Sequence, residues 1–380
     1  MRIGDISFVP VDALVPHRKL PMLEPIWRDC AQVFRSYRDG VKHSISRCVL
    51  AVPDDWTPRM PLSDATTTGL ARAANMIMLA AFSANTYGHV NSWCANAQMF
   101  QLDIAVFTSP PGYVSISHRR RDGISGTAGA RWGYPLFFIP RECAGTLPIT
   151  VDRRLAKAVG PLYQTNPDLG RRLALAMPLF GLANTDSTLV GPDAELIMMA
   201  AAFDALLDTA KAKAFANRVA ELMNSYGSVR VSGLVKRDVR RVSREETGAS
   251  SWLHYAWADE FYTRRNMLAH GKDPGLRQWT WEWYEHLAMG SFIFPLLVKL
   301  VLAGEGIYEL TWDDKARCDA VDTLLSETEW FFYRHDRIGD DCPQEKTRWS
   351  AVLARAGRSR YQRESSEVSR RLAEETGHNG

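Results

Sequence analysis

Proline is spread so unevenly along these 380 residues that it limits what each half can fold into. Sixteen of the nineteen prolines lie at or before Pro192, and only Pro274, Pro295 and Pro343 follow it. A proline removes one helical hydrogen bond, and its ring clashes with the preceding turn. The later half is therefore free to build long helices and the earlier half is not. A chain of this length is also more comfortable as two domains than as one. The expectation is an α+β protein: a mixed α/β N-terminal domain over 1–150, an all-α helical bundle over 151–335 and a charged C-terminal tail over 336–380.

Within the first part, Phe100 to Phe107 alternates large apolar residues with smaller or polar ones, as a half-buried strand does. Pro110-Pro111-Gly112 then turns the chain and Tyr113 to His118 alternates again, so a hairpin is expected. Trp132 to Ile139 is a further candidate strand. Thr67 to Ala84 has few breakers and reads as a helix.

The later half is richer in helix signals. Gly191-Pro192-Asp193 opens a helix with Asp193 as the expected N-cap, and Leu196, Met199, Phe203 and Leu206 recur every three or four residues. A second helix is expected from about Trp252 to His270, ending at Gly271, a residue suited to the left-handed position beyond a helix end. A third spans about Trp281 to Ala303, with a bend expected at Pro295. Helices near 152–164 and 168–183 complete a bundle. From about Gln344 the sequence is polar and charged, and a frayed or solvated tail is expected.

Charge and cysteine content narrow the function classes. The net charge is +3, with 46 basic side chains nearly matched by 43 acidic ones, so any nucleic-acid surface must be local. Cys30, Cys48, Cys94, Cys143, Cys318 and Cys342 form no CxxC pair, which suggests reduced thiols in a cytoplasmic protein rather than a zinc ribbon or a disulfide framework. No HExxH or similar ligand set appears, so neither a metal nor another cofactor is expected. The first residues, MRIGDISFVPVD, lack the unbroken apolar stretch of a signal peptide. The apolar run Phe292 to Leu302 is half a membrane span long and contains Lys299, so no membrane segment is expected.

One segment carries recognisable chemistry. In Phe261-Tyr262-Thr263-Arg264-Arg265-Asn266-Met267-Leu268-Ala269-His270-Gly271, an arginine followed by asparagine precedes a histidine by five positions at the end of a helix. Arg38 and His43 repeat the spacing, but Gly40 between them argues against a helix there. The segment resembles the signature of the HEPN superfamily. Over roughly residues 165 to 312 the chain looks like its Apea-like subgroup. Ala202-Phe203-Asp204-Ala205-Leu206-Leu207 resembles the block that precedes the motif in that subgroup, and Phe294 to Leu302 followed by Glu305-Gly306-Ile307-Tyr308 resembles its final helix.

What the resemblance implies is an all-α HEPN-type bundle and a metal-independent endoribonuclease of the toxin or phage-defence kind. In such an enzyme the RNA 2′-hydroxyl attacks the neighbouring phosphate, and the catalytic residues implied here are Arg265, His270 and Asn266. The chemistry suits the residue types. Histidine, with an unperturbed pKa of about 6.5, can take or give a proton near neutrality. A planar guanidinium can hold two phosphate oxygens at once. On an unbroken helix Arg265 and His270 point about 140° apart, so one helix cannot easily bring both onto one phosphate. HEPN ribonucleases meet this by dimerising across a composite cleft, which implies a homodimer here.

A helical wheel puts Leu253, Trp257, Phe261 and Leu268 on a core stripe, and Tyr255, Asp259, Tyr262, Asn266 and His270 on a second face. Asp259 and Asp204 are candidates to orient the imidazole. Lys236, Arg237, Arg240 and Arg241, with Arg244, form a local basic cluster suited to an RNA backbone, and Arg119-Arg120-Arg121 is a second candidate patch. The N-terminal domain would then be a sensor or regulator. The alternative is a non-catalytic HEPN module that binds nucleic acid, nucleotide or a protein partner. Retention of both the arginine and the histidine favours the enzyme.

Overall fold

The computed structural model describes residues 1–12, 38–39, 47–55, 62–84, 97–100, 102, 105–108, 113–119, 125–131, 138–139, 150–185, 190–231, 252–326 and 348–377. These residues are mostly helical, with two small antiparallel sheets and one two-residue parallel pair, all within the first 139 positions.

In chain order the strands are β1 (Arg2–Ile3), β2 (Ile6–Asp12), β3 (Arg38–Asp39), β4 (Arg47–Pro53), β5 (Ala105–Thr108), β6 (Tyr113–Arg119), β7 (Ser125–Arg131) and β8 (Phe138–Ile139). β2 lies between β1 and β4, and β6 lies between β5 and β7, all antiparallel. The expected hairpin is present as β5 and β6, but β5 starts at Ala105, because Ala97–Phe100 forms a 3₁₀ turn. Of the candidate strand 132–139 only Phe138–Ile139 pairs, in parallel with Arg38–Asp39. Arg38 of the second arginine–histidine spacing lies in extended backbone, and His43 lies outside the described residues.

The β1-β2-β4 sheet has no counterpart in the sequence reading, because Pro10 and Pro53 sit inside its two longer strands. Pro10 is tolerated for a positional reason. Phe8 donates its N–H to Met1 on the β1 side. Alternate residues face the same way, so the nitrogen of Pro10 points to the β1 side, where the register pairs β1 only with Ile6 and Ser7.

The helices are α1 (Asp64–Ala84), α2 (Arg153–Val159), α3 (Leu162–Thr165), α4 (Pro167–Leu182), α5 (Pro192–Leu207), α6 (Ala212–Met223), α7 (Leu253–Ala269), α8 (Trp283–Gly304), α9 (Trp312–Ser326) and α10 (Arg348–Gly377). α5 corrects one expectation: its N-cap is Gly191, Pro192 takes the first helical position, and Asp193 sits inside the first turn with Glu195. Proline's fixed φ and missing N–H suit that first position, and the two acids face the positive end of the helix dipole. Pro178 and Pro295 lie inside α4 and α8.

The core runs across the division expected at residue 150. Ile3, Ile6 and Phe8 of the first sheet pack with Leu70 and Ala73 of α1, and α1 in turn belongs to the same buried cluster as the bundle helices. A chain of ring contacts makes this concrete. Phe82 of α1 meets Phe180 edge-on at 5.1 Å, Phe180 stacks on Phe294 at 4.4 Å, and Phe294 meets Phe203 at 5.4 Å. Phe203 continues to Phe261 at 5.8 Å and Phe215 at 5.2 Å. Such pairs add directional preference to the area they bury.

α8 is the one helix among the described residues long and apolar enough to cross a membrane, with a mean hydropathy of 2.0 over its most apolar window. That window is 83% buried inside the bundle, as in a central core helix.

The charged tail is not free over its described residues. Residues 348–377 form α10, whose early turns lie on α9 with Val352 buried. Asp319 of α9 accepts from Arg360 at 3.0 Å and from Arg363 at 2.7 Å. Arginines that read as a solvated run thus include two with a buried carboxylate partner.

Candidate functional site at the end of α7

α7 is pinned at its start, along its length and at its finish. At the start, the buried carboxylate of Asp322 accepts from the backbone N–H and ring Nδ1 of His254 and from the N–H groups of Ser228 and Val229, all within 3.2 Å. Along its length, Leu253, Trp257 and Phe261 are fully buried as the helical wheel expects. Leu268 is only partly buried and packs at the edge of that core.

The second face of the wheel is less open than the sequence suggested. Tyr255 and Tyr262 are buried, since α7 is covered by α6 on one side and by α5 and α9 on others. Only Asp259 and His270 of that face are exposed, with Asn266 half-buried. The accessible chemistry is therefore concentrated at the last turn.

The link from α7 to α8 folds back on α7. Glu260 accepts from the backbone N–H groups of Thr280 and Trp281 at 2.9 Å, and His286 lies 3.4 Å from it. Burial alone would push the Glu260 carboxyl up, but His286 and the two backbone donors hold it below its ordinary value. Arg264 is buried beside the carbonyl of Trp281, with its guanidinium 5.3 Å from the ring of Trp279. Arg264 and Arg265, adjacent in sequence, thus have different jobs: the first closes the fold and the second reaches the surface.

The finish is a Schellman cap. Gly271 has φ +66° and donates to Leu268 at 3.0 Å, while Lys272 donates to Met267 at 2.9 Å. His270 is the C-cap, with φ −99° and ψ 14°, so the chain leaves the helical path after it. Its own N–H still bonds the carbonyl of Asn266, which keeps its Cα on the helix, and the separation of about 140° from Arg265 still argues for a second helix end in the site. Gly271→Ala should cost roughly 1–2 kcal/mol, because alanine resists a positive φ even where, as here, nothing lies within 4 Å of the added methyl. A lower urea midpoint at unchanged slope would register it.

Arg265 is one-quarter exposed, and its guanidinium is only partly engaged. Nη1 donates to Oδ1 of Asn266 at 3.0 Å, and Nη2 lies 3.8 Å from Oδ2 of Asp204. The guanidinium carbon stands 5.1 Å from the ring centre of Tyr262. Nε is shielded and has no hydrogen-bond partner among the described residues.

Asp204 itself accepts from the Tyr262 hydroxyl at 2.9 Å and from Thr209 at 3.1 Å. Burial pushes its carboxyl above the usual range against these three neighbours, and it pushes the Tyr262 hydroxyl up to about 12. Asp204 therefore faces the arginine rather than orienting the imidazole, and Asn266 binds the arginine through its side chain.

No family model, curated protein or solved structure matches the chain. The site has to be argued from its own geometry. Three residues read from the sequence, Arg265, Asn266 and His270, lie within the last turn and cap of one helix. The basic cluster Lys236, Arg237, Arg240 and Arg241 falls at positions 232–250, outside the described residues, as do Arg120 and Arg121. Among the described residues no three His, Cys, Asp or Glu side chains converge as metal ligands do. Sequence reasoning missed the pairing of Asp204 with Arg265. The available signal was an acid placed within the apolar run Ile197 to Leu207, where a charge needs a partner.

Proposed function

We propose that this chain is a metal-independent endoribonuclease of the HEPN type, cutting RNA by attack of the 2′-hydroxyl in a toxin or phage-defence setting. The observation that carries this is a guanidinium whose donors are only partly filled among the described residues and an exposed imidazole, both at one capped helix end. In the reaction the O2′–P bond forms as the P–O5′ bond breaks. A neutral imidazole takes the 2′-hydroxyl proton and an imidazolium gives one to O5′, leaving a 2′,3′-cyclic phosphate and a 5′-hydroxyl. Arg265 neutralises the non-bridging oxygens as charge gathers there.

Two such helix ends facing each other in a homodimer would supply both protonation states of His270. The basic cluster Lys236 to Arg241, just before α7 in sequence, would hold the RNA backbone through its phosphates. The N-terminal residues would serve as sensor or regulator.

The ion pair with Asp204 favours a second reading, in which Arg265 is a structural residue of a non-catalytic HEPN module binding nucleic acid, nucleotide or a protein. Product chemistry separates the two. Incubated with labelled RNA and EDTA, the purified protein should still cut and leave a cyclic phosphate, and RNA with 2′-deoxyribose at the cleavage site should stay whole. Activity that vanishes with chelator, or equal cutting of the deoxy-substituted strand, would overturn the proposal.

A further inference from the structure

An arginine side chain carries about 2 kcal/mol of rotamer entropy, so one that must meet a phosphate in a fixed orientation needs a neighbour to hold it. Asp204 is placed to do so. Its 3.8 Å approach to Nη2 of Arg265 is an ion-pair distance, longer than a hydrogen bond. Such a carboxylate attracts and aims the guanidinium without using up its N–H groups.

The carboxylate is itself fixed on both oxygens. The Tyr262 hydroxyl donates to Oδ2 and Thr209 to Oδ1. Thr209 is held near by the end of α5, where Asp208 takes a left-handed conformation at φ 55° and its N–H returns to the carbonyl of Asp204. On the other side of the guanidinium, Asn266 takes Nη1. Two neighbours thus restrain Arg265 laterally, while Nε is shielded and the outer N–H groups of the fork keep donors unspent among the described residues.

We propose, resting on the reading that Arg265 binds the scissile phosphate, that Asp204 is the positioning residue for that arginine, aiming it before RNA arrives. The ionised carboxylate is retained against the stability of the fold. Burial raises its pKa, so the folded state holds this proton more tightly than the unfolded chain does. Stability from this group is then present at acid pH and is lost as pH rises through the raised value.

Asp204→Asn separates these roles, because the amide keeps the shape and loses the charge. Cleavage kinetics and urea unfolding are compared for Asp204→Asn in the wild-type and Arg265→Ala backgrounds, with Tyr262→Phe, which frees Oδ2, as a second probe. In the wild-type background kcat should fall about 10- to 100-fold, as misplacement of a catalytic group does. KM should not rise, and the urea midpoint should hold or increase. In the Arg265→Ala background the same change should add nothing, since there is no guanidinium left to aim. Tyr262→Phe should lower kcat in the same background-dependent way, and it carries the comparison if the asparagine variant does not fold. Equal losses in both backgrounds, or an unchanged kcat in the wild-type background, would overturn the positioning role while leaving the ribonuclease reading standing. An inactive wild type would sink that reading itself.

Discussion

Lys299→Met is expected to destabilise the fold by about 3–5 kcal/mol at neutral pH, because it leaves buried carboxylates without their cation. Lys299 lies in the middle of α8 and is almost wholly buried. Its ammonium is 2.7 Å from Oδ2 of Asp152 and also binds Oδ1 of Asp314. Asp314 further accepts from the Tyr308 hydroxyl and from the N–H and hydroxyl of Thr311. Asp152 caps α2 by accepting from the N–H groups of Arg154 and Leu155, and it takes the hydroxyl of Ser83 from the end of α1. One lysine therefore ties α1, α2 and α9 to the central helix. Methionine would fill the stem's volume and nothing else.

The pH dependence gives this prediction a sign. Burial alone would push both carboxyls up, but the charge of Lys299 and the surrounding hydrogen bonds hold both below the ordinary carboxylate value. A depressed folded pKa contributes stability that is complete above the unfolded value of about 3.9 and is lost as pH falls through the lower folded values. Without the lysine, burial dominates and the sign reverses, so the unpaired acids are worst when ionised. The deficit of Lys299→Met in urea unfolding should be greatest near pH 7 and shrink towards pH 4. A variant as stable as wild type at neutral pH would contradict the ionic tie.

How much of this was legible in the sequence depended on whether the cause was local. The helix ending at Gly271 could be read because a capping glycine and an apolar stripe are properties of adjacent residues, and α7 spans Leu253–Ala269 as expected within a residue or so. The N-cap of α5 was misplaced by two residues because Asp193 is a good capping residue and Pro192 an equally good first helical residue, and only one arrangement fits both. The β1-β2-β4 sheet was hidden by prolines whose tolerance depends on where a partner strand stops.

Partners distant in sequence left weaker traces. Lys299 reads locally as a charge that interrupts an apolar run, and neither Asp152 nor Asp314 is visible as its partner. Tyr262 and Asp204 stand 58 residues apart and meet only because α5 and α7 pack together. The same packing turned the second face of α7 from an open surface into a buried one at Tyr255 and Tyr262, leaving the chemistry at the helix end.

The most direct test is the rate at which wild type, Arg265→Ala and His270→Ala cut labelled RNA in single-turnover reactions containing EDTA. Both side chains reach solvent, so the two variants should still fold cooperatively in urea while each loses about 10²-fold or more in cleavage rate. Variants that fold normally and cut at the wild-type rate would contradict the assignment.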